Sequence, residues 1–294
     1  MKNYFFIVLL IISSCSDIPE DQSFDSAEII ETVILPKIIN ETSGLEILND
    51  VFITHNDSGG EPSLYFFNLS GEIINSIKLE KESFWEIYNN DWEDITANED
   101  YIYIADTGNN FGNRGNLNII KVKRNDFSIE GKINFTYKDQ EEFFYWIPKT
   151  KHKYDAEALF LIEDKIAILS KDRSNLFTDL YLIDKESNSK QVLESKITYD
   201  VNSLITGGDY NEELSLLALV SYNSKGSQYL ILFENFKLEN LAEKKFKKIK
   251  IPIERAQIEA IKIIDNKTFW ITSEDEGIGN PYMYKLKVNR KKRS

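Results

Sequence analysis

Five short segments of this chain begin alike. They are Ser43-Gly44-Leu45-Glu46-Ile47-Leu48, Glu93-Asp94-Ile95-Thr96, Glu157-Ala158-Leu159-Phe160-Leu161, Thr206-Gly207-Gly208-Asp209-Tyr210 and Glu259-Ala260-Ile261-Lys262-Ile263. Each sets an oxygen-bearing side chain just ahead of a short strand. Each is followed by a turn and a strongly apolar strand: Val51–Thr54, Tyr101–Ala105, Lys165–Ser170, Leu214–Ser221 and Lys267–Thr272. The starts lie 50, 64, 49 and 53 residues apart. A period near 50 residues with several strands per unit is what a β-propeller produces. The innermost strands of a propeller all begin at one central axis, so five oxygen-bearing side chains are expected to converge.

The rest of the chain fits an all-β, five-bladed β-propeller, with six blades as the alternative. Third strands share a pattern at Leu64-Tyr65-Phe66, Leu180-Tyr181-Leu182, Tyr229-Leu230-Ile231 and Met283-Tyr284-Lys285. Fourth strands are expected at Glu72–Leu79, Lys132–Lys138, Lys190–Ser195 and Lys245–Ile251. The fifth unit runs out after Met283–Val288, one strand short, while Ala27–Ile38 is an unassigned apolar segment before the first unit. The economical solution places this N-terminal strand beside Met283–Val288, closing the ring and removing open sheet edges. Two aromatic connections, Phe84–Trp92 and an insertion at Asp139–Tyr154 that holds Phe143, Phe144, Tyr145 and Trp146, interrupt the period.

Composition narrows the function. The 294 residues, 42% hydrophobic, suffice for one large domain. With 15 Tyr, 18 Phe and 4 Trp against 6 Pro, the chain favours strands. A net charge of −13 excludes nucleic acid as a partner, because phosphate backbones need a basic surface. Two His and one Cys make a metal site built on imidazole or thiolate improbable.

The ends read as targeting segments. Residues 1–14 combine Lys2 with a short apolar run at Tyr4–Ile12, too short to span a bilayer as a helix, and suggest a secretory signal. The only cysteine, Cys15, follows directly, an arrangement resembling a lipobox, with Cys15 as the lipidated first residue of the mature chain. Residues 15–26 would be a flexible tether, and 27–290 the propeller. Asp17, Glu20, Asp21 and Asp25 resemble the export signal of surface lipoproteins, so an outer-membrane lipoprotein, facing the periplasm or the cell surface, is expected. A monomer is expected. The tail at 291–294 ends a basic run, Arg290-Lys291-Lys292-Arg293, that reads as a solvated end.

The axial set is Ser43, Glu93, Glu157, Thr206 and Glu259, with Ser203 as a possible substitute for Thr206. Three carboxylates at close range raise one another's pKa unless something neutralises them. A hard divalent cation does so, Ca²⁺ first for its flexible oxygen shell and Mg²⁺ second. The alternative is that these side chains cap strand ends. A polar mouth is expected from the ends of the second strands. It offers Asp57, Asp106 and Glu274 as candidate bases, and His55, Asn109, Asn110, Arg114, Lys171, Arg173 and Tyr222 as candidate ligand-binding residues. Asn56–Gly60 and Asp106–Asn110 also form good turns whatever the function. No nucleophile elbow, Gly-rich phosphate loop or dinucleotide fingerprint is present.

The order Ser, Glu, Glu, Thr, Glu at five successive repeat starts resembles the calcium-activated nucleotidase (apyrase) propellers. The most similar stretch is Trp92-Glu93-Asp94-Ile95 with Tyr101–Asn110. That resemblance implies five blades, an axial Ca²⁺ and hydrolysis of nucleoside phosphates, but covers only about a fifth of the chain. Thr54–Gly59, Asp106–Asn110 and Asp155–Leu159 are similar in style to phytase-like and esterase-like propeller domains, which implies a Ca²⁺-dependent phosphate site. Two functions follow as expectations. One is a Ca²⁺-dependent hydrolase of phosphate esters or anhydrides acting on a small anionic substrate. The other is a non-catalytic module binding a protein or glycan at its mouth.

Overall fold

The computed structural model describes residues 26–80, 87–140, 150–254, 256–275 and 279–289. Cys15 and its flanks, Phe143–Trp146, Glu276 and Arg290–Arg293 lie outside the described residues, as does the first part of Phe84–Trp92. No described helix is long and apolar enough to cross a membrane.

The strands form five small sheets arranged as a five-bladed propeller. Strand β1 (Ser26–Ile34) precedes the first complete blade, β2 (Thr42–Leu48), β3 (Val51–Asn56), β4 (Ser63–Phe67) and β5 (Ile73–Lys78). Blade 2 is β6 (Trp92–Ala97), β7 (Tyr101–Asp106), β8 (Asn118–Lys123) and β9 (Ile129–Tyr137). Blade 3 starts with β10 (Ala156–Ile162), β11 (Lys165–Ser170) and β12 (Thr178–Asp184), then come β13 (Gln191–Leu193) and β14 (Ile197–Tyr199). Blade 4 is β15 (Leu204–Asn211), β16 (Leu216–Tyr222), β17 (Gln228–Glu234) and β18 (Lys247–Lys250). Blade 5 has β19 (Ile258–Ile263), β20 (Thr268–Ser273) and β21 (Tyr282–Asn289), completed on its outer edge by β1.

The closing strand is thus where the repeat count places it. Ser26 pairs with Asn289 and Ile34 with Tyr282, antiparallel. It is shorter than Ala27–Ile38, because Pro36 follows and Lys37–Ile39 form a 3₁₀ turn. One strand expectation is corrected. Gln191–Leu193 does not end blade 3; it pairs in parallel with Phe135–Tyr137 on the outer edge of blade 2. Ile197–Tyr199 is the fourth strand of blade 3.

Five hydrophobic clusters fill the seams between neighbouring blades. Ile53, Trp92 and Ile104 lie between blades 1 and 2, and Phe135, Leu159 and Tyr181 between blades 2 and 3. Phe160, Leu217 and Phe233 join blades 3 and 4, and Leu230, Ile261 and Leu286 join blades 4 and 5. The last seam, between blades 5 and 1, packs Phe52 against Phe67 at 5.2 Å and against Trp270 at 5.6 Å between ring centres. Burying each such ring contributes about 1.5–3 kcal/mol, so closure rests on packing as well as on the β1–β21 ladder.

Every innermost strand carries a register break at its start. The unpaired residue is Glu93 in β6, Glu157 in β10, Thr206 in β15 and Glu259 in β19. In β2 the break spans Ser43 to Glu46. A bulge sets one residue outside the ladder and re-aims its side chain. Four of the five residues singled out from the repeats therefore share one structural position, while Ser43 stays paired with His55 just ahead of its break.

Candidate functional site

The innermost strands are sheet edges facing a channel, so their backbone groups need partners from elsewhere. Side chains of the preceding blade supply them. Ser43 Oγ donates to the Glu93 carbonyl at 2.5 Å, and Thr206 Oγ1 to the Ile258 carbonyl at 2.5 Å. Carboxylates take the N–H groups: Glu46 accepts from Ala97 N, Asp209 from Ile263 N and Asp94 from Leu159 N. Lys262 neutralises the far end of the channel, 2.6 Å from Glu46 and 3.0 Å from Asp209.

The hydroxyls at the five bulges are thus spent on joining blades, and the three glutamates enter a cavity. Glu93, Glu157 and Glu259 line a cavity of about 230 Å³ at the start of the inner strands, together with Asp57 and Glu274. Lys171, Arg173, Asn110, Tyr222 and Gln257 complete its wall. Two further carboxylates stand close by. Asp91 joins Asp57 and Glu93, and Asp155 joins Glu93 and Glu157, with ligand atoms in each trio within 4.8 Å of one another. Among the described residues, seven carboxylates therefore face two cations.

Glu93 is the extreme case. It is 4% exposed, and no donor among the described residues bonds its carboxylate. Burial, then the charges of Glu157, Asp57, Asp155 and Asp91, hold its pKa well above the ordinary value. Burial, then Asp91, Glu157 and Glu274, push Asp57 up to about 9. Burial lifts Glu157 to about 7 against the pull of Lys171, and raises Glu259 well above its ordinary value. Burial alone would lower Lys171, but Glu157 and Glu259 reverse this and keep it charged. Its ammonium lies 2.9 Å from Glu157 Oε1 and 5.5 Å from the Tyr222 ring centre. Arg173 holds Asp155 at 2.7 Å and donates from Nη2 to Asn110 Oδ1 at 2.6 Å. Gln257 Nε2 donates to Glu259.

Other expected mouth residues do not line the cavity. Asp106 is fully buried, paired with Arg114 at 2.7 Å and bonded by Asn90 and Asn118. Arg114 also donates to the Gly108 carbonyl at 2.6 Å, so this pair shapes the loop after β7. Asn109 ties that loop to blade 3, its N–H donating to Asp155 Oδ1 and its Nδ2 to the Tyr154 carbonyl. His55 is buried edge-on against Trp92, and burial lowers its pKa to about 4, so it stays neutral. Ser203 bonds Ser221 and leaves the ring position to Thr206.

Asp91 and Asp155 were missed by the repeat alignment, although Asp91-Trp92-Glu93 and Asp155-Ala156-Glu157 repeat an Asp-x-Glu pattern. Both pairs fall at the same place, an Asp just ahead of the inner strand and a Glu at its bulge, and that recurrence is the signal that finds them.

A five-bladed propeller with an acidic, water-accessible axial cavity is the class that fold and site define. No family description matches the chain, and no curated protein matches it. Among solved structures it is similar to a hypothetical protein from Leishmania major, at 8% identity and TM-score 0.47, covering 88% of this chain and 90% of that one. It is also similar to a chain of the mitotic checkpoint complex, at 8% identity and TM-score 0.41, over 84% of this chain and 61% of that one. A third is the complex of KlAtg21 with the coiled-coil of AgAtg16, at 13% identity and TM-score 0.39, over 80% and 64%. The chain therefore spans less than two thirds of the length of two of the three. At these values the likenesses carry nothing about function, and the fold rests on the sheet topology above.

Proposed function

We propose that this propeller binds a divalent cation, Ca²⁺ before Mg²⁺, in its carboxylate cavity, and that it hydrolyses a phosphate ester or anhydride there. The observation that supports this is Glu93, a buried carboxylate with no hydrogen-bond donor among the described residues and acids for neighbours. Such a group is satisfied by a proton or by a cation. The donor set is all oxygen and irregular, which suits a large hard ion better than a strict octahedral one. Glu93 and the carboxylates around it would hold the ion. When bound, it would supply charge neutralisation to a phosphate oxygen and acidify a water.

The chain's own residues supply the rest. Arg173, 22% exposed and seated beside Asn110 and Tyr222, faces an incoming anion at the mouth. Glu274 lines the cavity and is the candidate for taking a proton from water, while Asp57, on the same wall, stands with Glu93 among the carboxylates for the ion. Asp106 is withdrawn from that role by its ion pair with Arg114. The reading includes membrane attachment through a lipid on Cys15, with the protein held at the outer membrane. Cys15→Ala should then move it from the detergent-extracted to the soluble fraction, and unchanged partitioning would count against attachment.

A second reading, a module binding a glycan or protein at the same mouth, is favoured by Tyr88 and Phe111. These rings are 56% and 52% exposed, on the two loops of blade 2 that flank the cavity. One series of experiments separates the two. Melting is followed in chelator and in millimolar calcium, where a ligand at 100 times its Kd stabilises by about 2.7 kcal/mol. A panel of phosphoester, phosphoanhydride and carboxylester substrates follows. An unchanged melt removes the cation. A calcium-dependent melt with no hydrolysis moves the conclusion to the binding module.

A further inference from the structure

Six of the seven carboxylates, Glu274 apart, divide into two groups with different counter-charges. In the first, Asp155 is held by Arg173 through Nε at 3.2 Å and Nη2 at 2.7 Å, with the Asn109 N–H on its other oxygen at 2.6 Å. Glu157 is held by Lys171 at 2.9 Å, with Arg173 at 3.8 Å. Glu259 takes a hydrogen bond from Gln257, and Lys171 is the foremost favourable charge acting on it. Glu157 and Glu259 belong to blades 3 and 5, which are not neighbours. Lys171 is ion-paired with Glu157 and lines the same cavity as Glu259, so one ammonium faces carboxylates of two non-adjacent blades.

The second group is Asp57, Asp91 and Glu93, from the adjacent blades 1 and 2. No described cation forms an ion pair with any of the three. Arg114 acts on Asp91 only through space, its guanidinium being committed to Asp106 and the Gly108 carbonyl. The Glu93 carboxylate, 4% exposed and bonded by no donor among the described residues, stands within 4.8 Å of Asp57 and Asp91, as it does of Asp155 and Glu157. One Asp57 oxygen, Oδ1, is also buried without a hydrogen-bond partner. The surroundings are fitted to these carboxylates. A methyl group on Gly108 would overlap both Glu93 Oε1 and the Asp91 carboxylate, so the loop after β7 closes on the trio only because residue 108 has no side chain. Asn89 ties the two contributing loops together, donating to the carbonyls of Asn56 and Asp57.

We infer that the chain holds a single divalent cation off the axis, on Asp57, Asp91 and Glu93, and that Lys171 is a built-in cation filling the axial place between Glu157 and Glu259. This rests on the cation reading proposed above and locates the ion within that cavity. The convergence of five repeats on one axis thus ends in an ammonium group, and the free valence lies between blades 1 and 2. Lys171 sets the number of ions bound.

The test is calorimetric titration of the full protein with calcium alone, with fold checked by circular dichroism. The wild type should take up one ion. Asp91→Asn should weaken it by at least about tenfold, since even outer-shell partners of a metal site cost that much. Glu259→Gln, equally conservative in shape, should leave the affinity within about threefold, being outside the group that holds the ion. Lys171→Met should admit a second ion. If Glu259→Gln weakens binding more than Asp91→Asn, the ion is axial and the inference is wrong. A stoichiometry that stays at one in Lys171→Met overturns the role given to Lys171. Should Lys171→Met fail to fold, the Asp91 and Glu259 variants decide the position of the ion alone. No calcium uptake by the wild type would refute the cation reading itself, a result distinct from uptake at the other carboxylates.

Discussion

Glu93→Gln should stabilise the protein in chelator. The side chain is buried among acids and receives no hydrogen bond from a described residue, so without a cation the folded state favours its protonated form. The cost is bounded by that proton. An unfolded Glu titrates near 4.5, so holding it neutral at pH 7 costs about 3 kcal/mol, at about 1.4 kcal/mol per pH unit. Glutamine keeps the shape and removes the cost. For a domain of this size the gain corresponds to roughly 5–10 °C in Tm. The sign of the pH dependence is fixed by the raised pKa. The folded state binds a proton that the unfolded state has released, so the wild type loses stability as pH rises from about 4.5. The advantage of the variant should therefore be small, under about 1 kcal/mol at pH 5, and grow towards pH 7. Calcium should reverse the order, stabilising the wild type and not Glu93→Gln. The assay is thermal and urea unfolding of both proteins at pH 5 and pH 7, with chelator or calcium. A lower Tm for Glu93→Gln in chelator at pH 7, or a gap that does not shrink at pH 5, would falsify the account of this carboxylate.

Two further outcomes follow from the framework around the site. A chain starting at Asn40 lacks β1, leaves the outer edge of β21 unpaired and uncovers the seams where Ile29 and Val33 pack. It should unfold at several kcal/mol lower stability, at about 1 kcal/mol per lost hydrogen bond plus lost burial, and a urea midpoint equal to that of the chain starting at Ser26 would refute closure by β1. Asp94→Asn should also destabilise. Its Oδ1 accepts from Ile95 N, and its Oδ2 from Leu159 N and Gly208 N, so an amide cannot meet donors on both sides. The expected loss is about 1–3 kcal/mol for a buried donor left unpaired, read by denaturant titration, and a neutral result would show that the channel readmits water.

The repeat starts carried the architecture into the sequence because each marks a bulge, where a polar side chain must leave the ladder. The closing strand was legible for a simpler reason, since one strand was missing at one end and one was spare at the other. What the side chains then do depends on reach. Ser43 and Thr206 are short enough to find the neighbouring strand's carbonyl. Glu93, Glu157 and Glu259 carry their oxygens past it into the cavity. Both kinds look alike as oxygen-bearing residues in a repeat. Gln191–Leu193 has the composition of a strand, but which sheet receives it is decided by the neighbouring blade, and no local pattern records that. Asp106 and Arg114 fell on the expected rim, yet their mutual attraction inside a tight loop uses both up.

The bulges have a consequence beyond this one cavity. A bulged residue contributes nothing to strand pairing, so at Glu93, Glu157 and Glu259, whose oxygens leave the ladder for the cavity, the ladder does not depend on the side chain. The hydroxyls of Ser43 and Thr206 stay bound to the neighbouring strand, whereas blades 2, 3 and 5 each offer a socket. Exchanging their occupants would rewrite the chemistry of the mouth while leaving the seams and ladders untouched. A ring built in this way can change its vocation one residue at a time, without passing through an unfolded intermediate sequence.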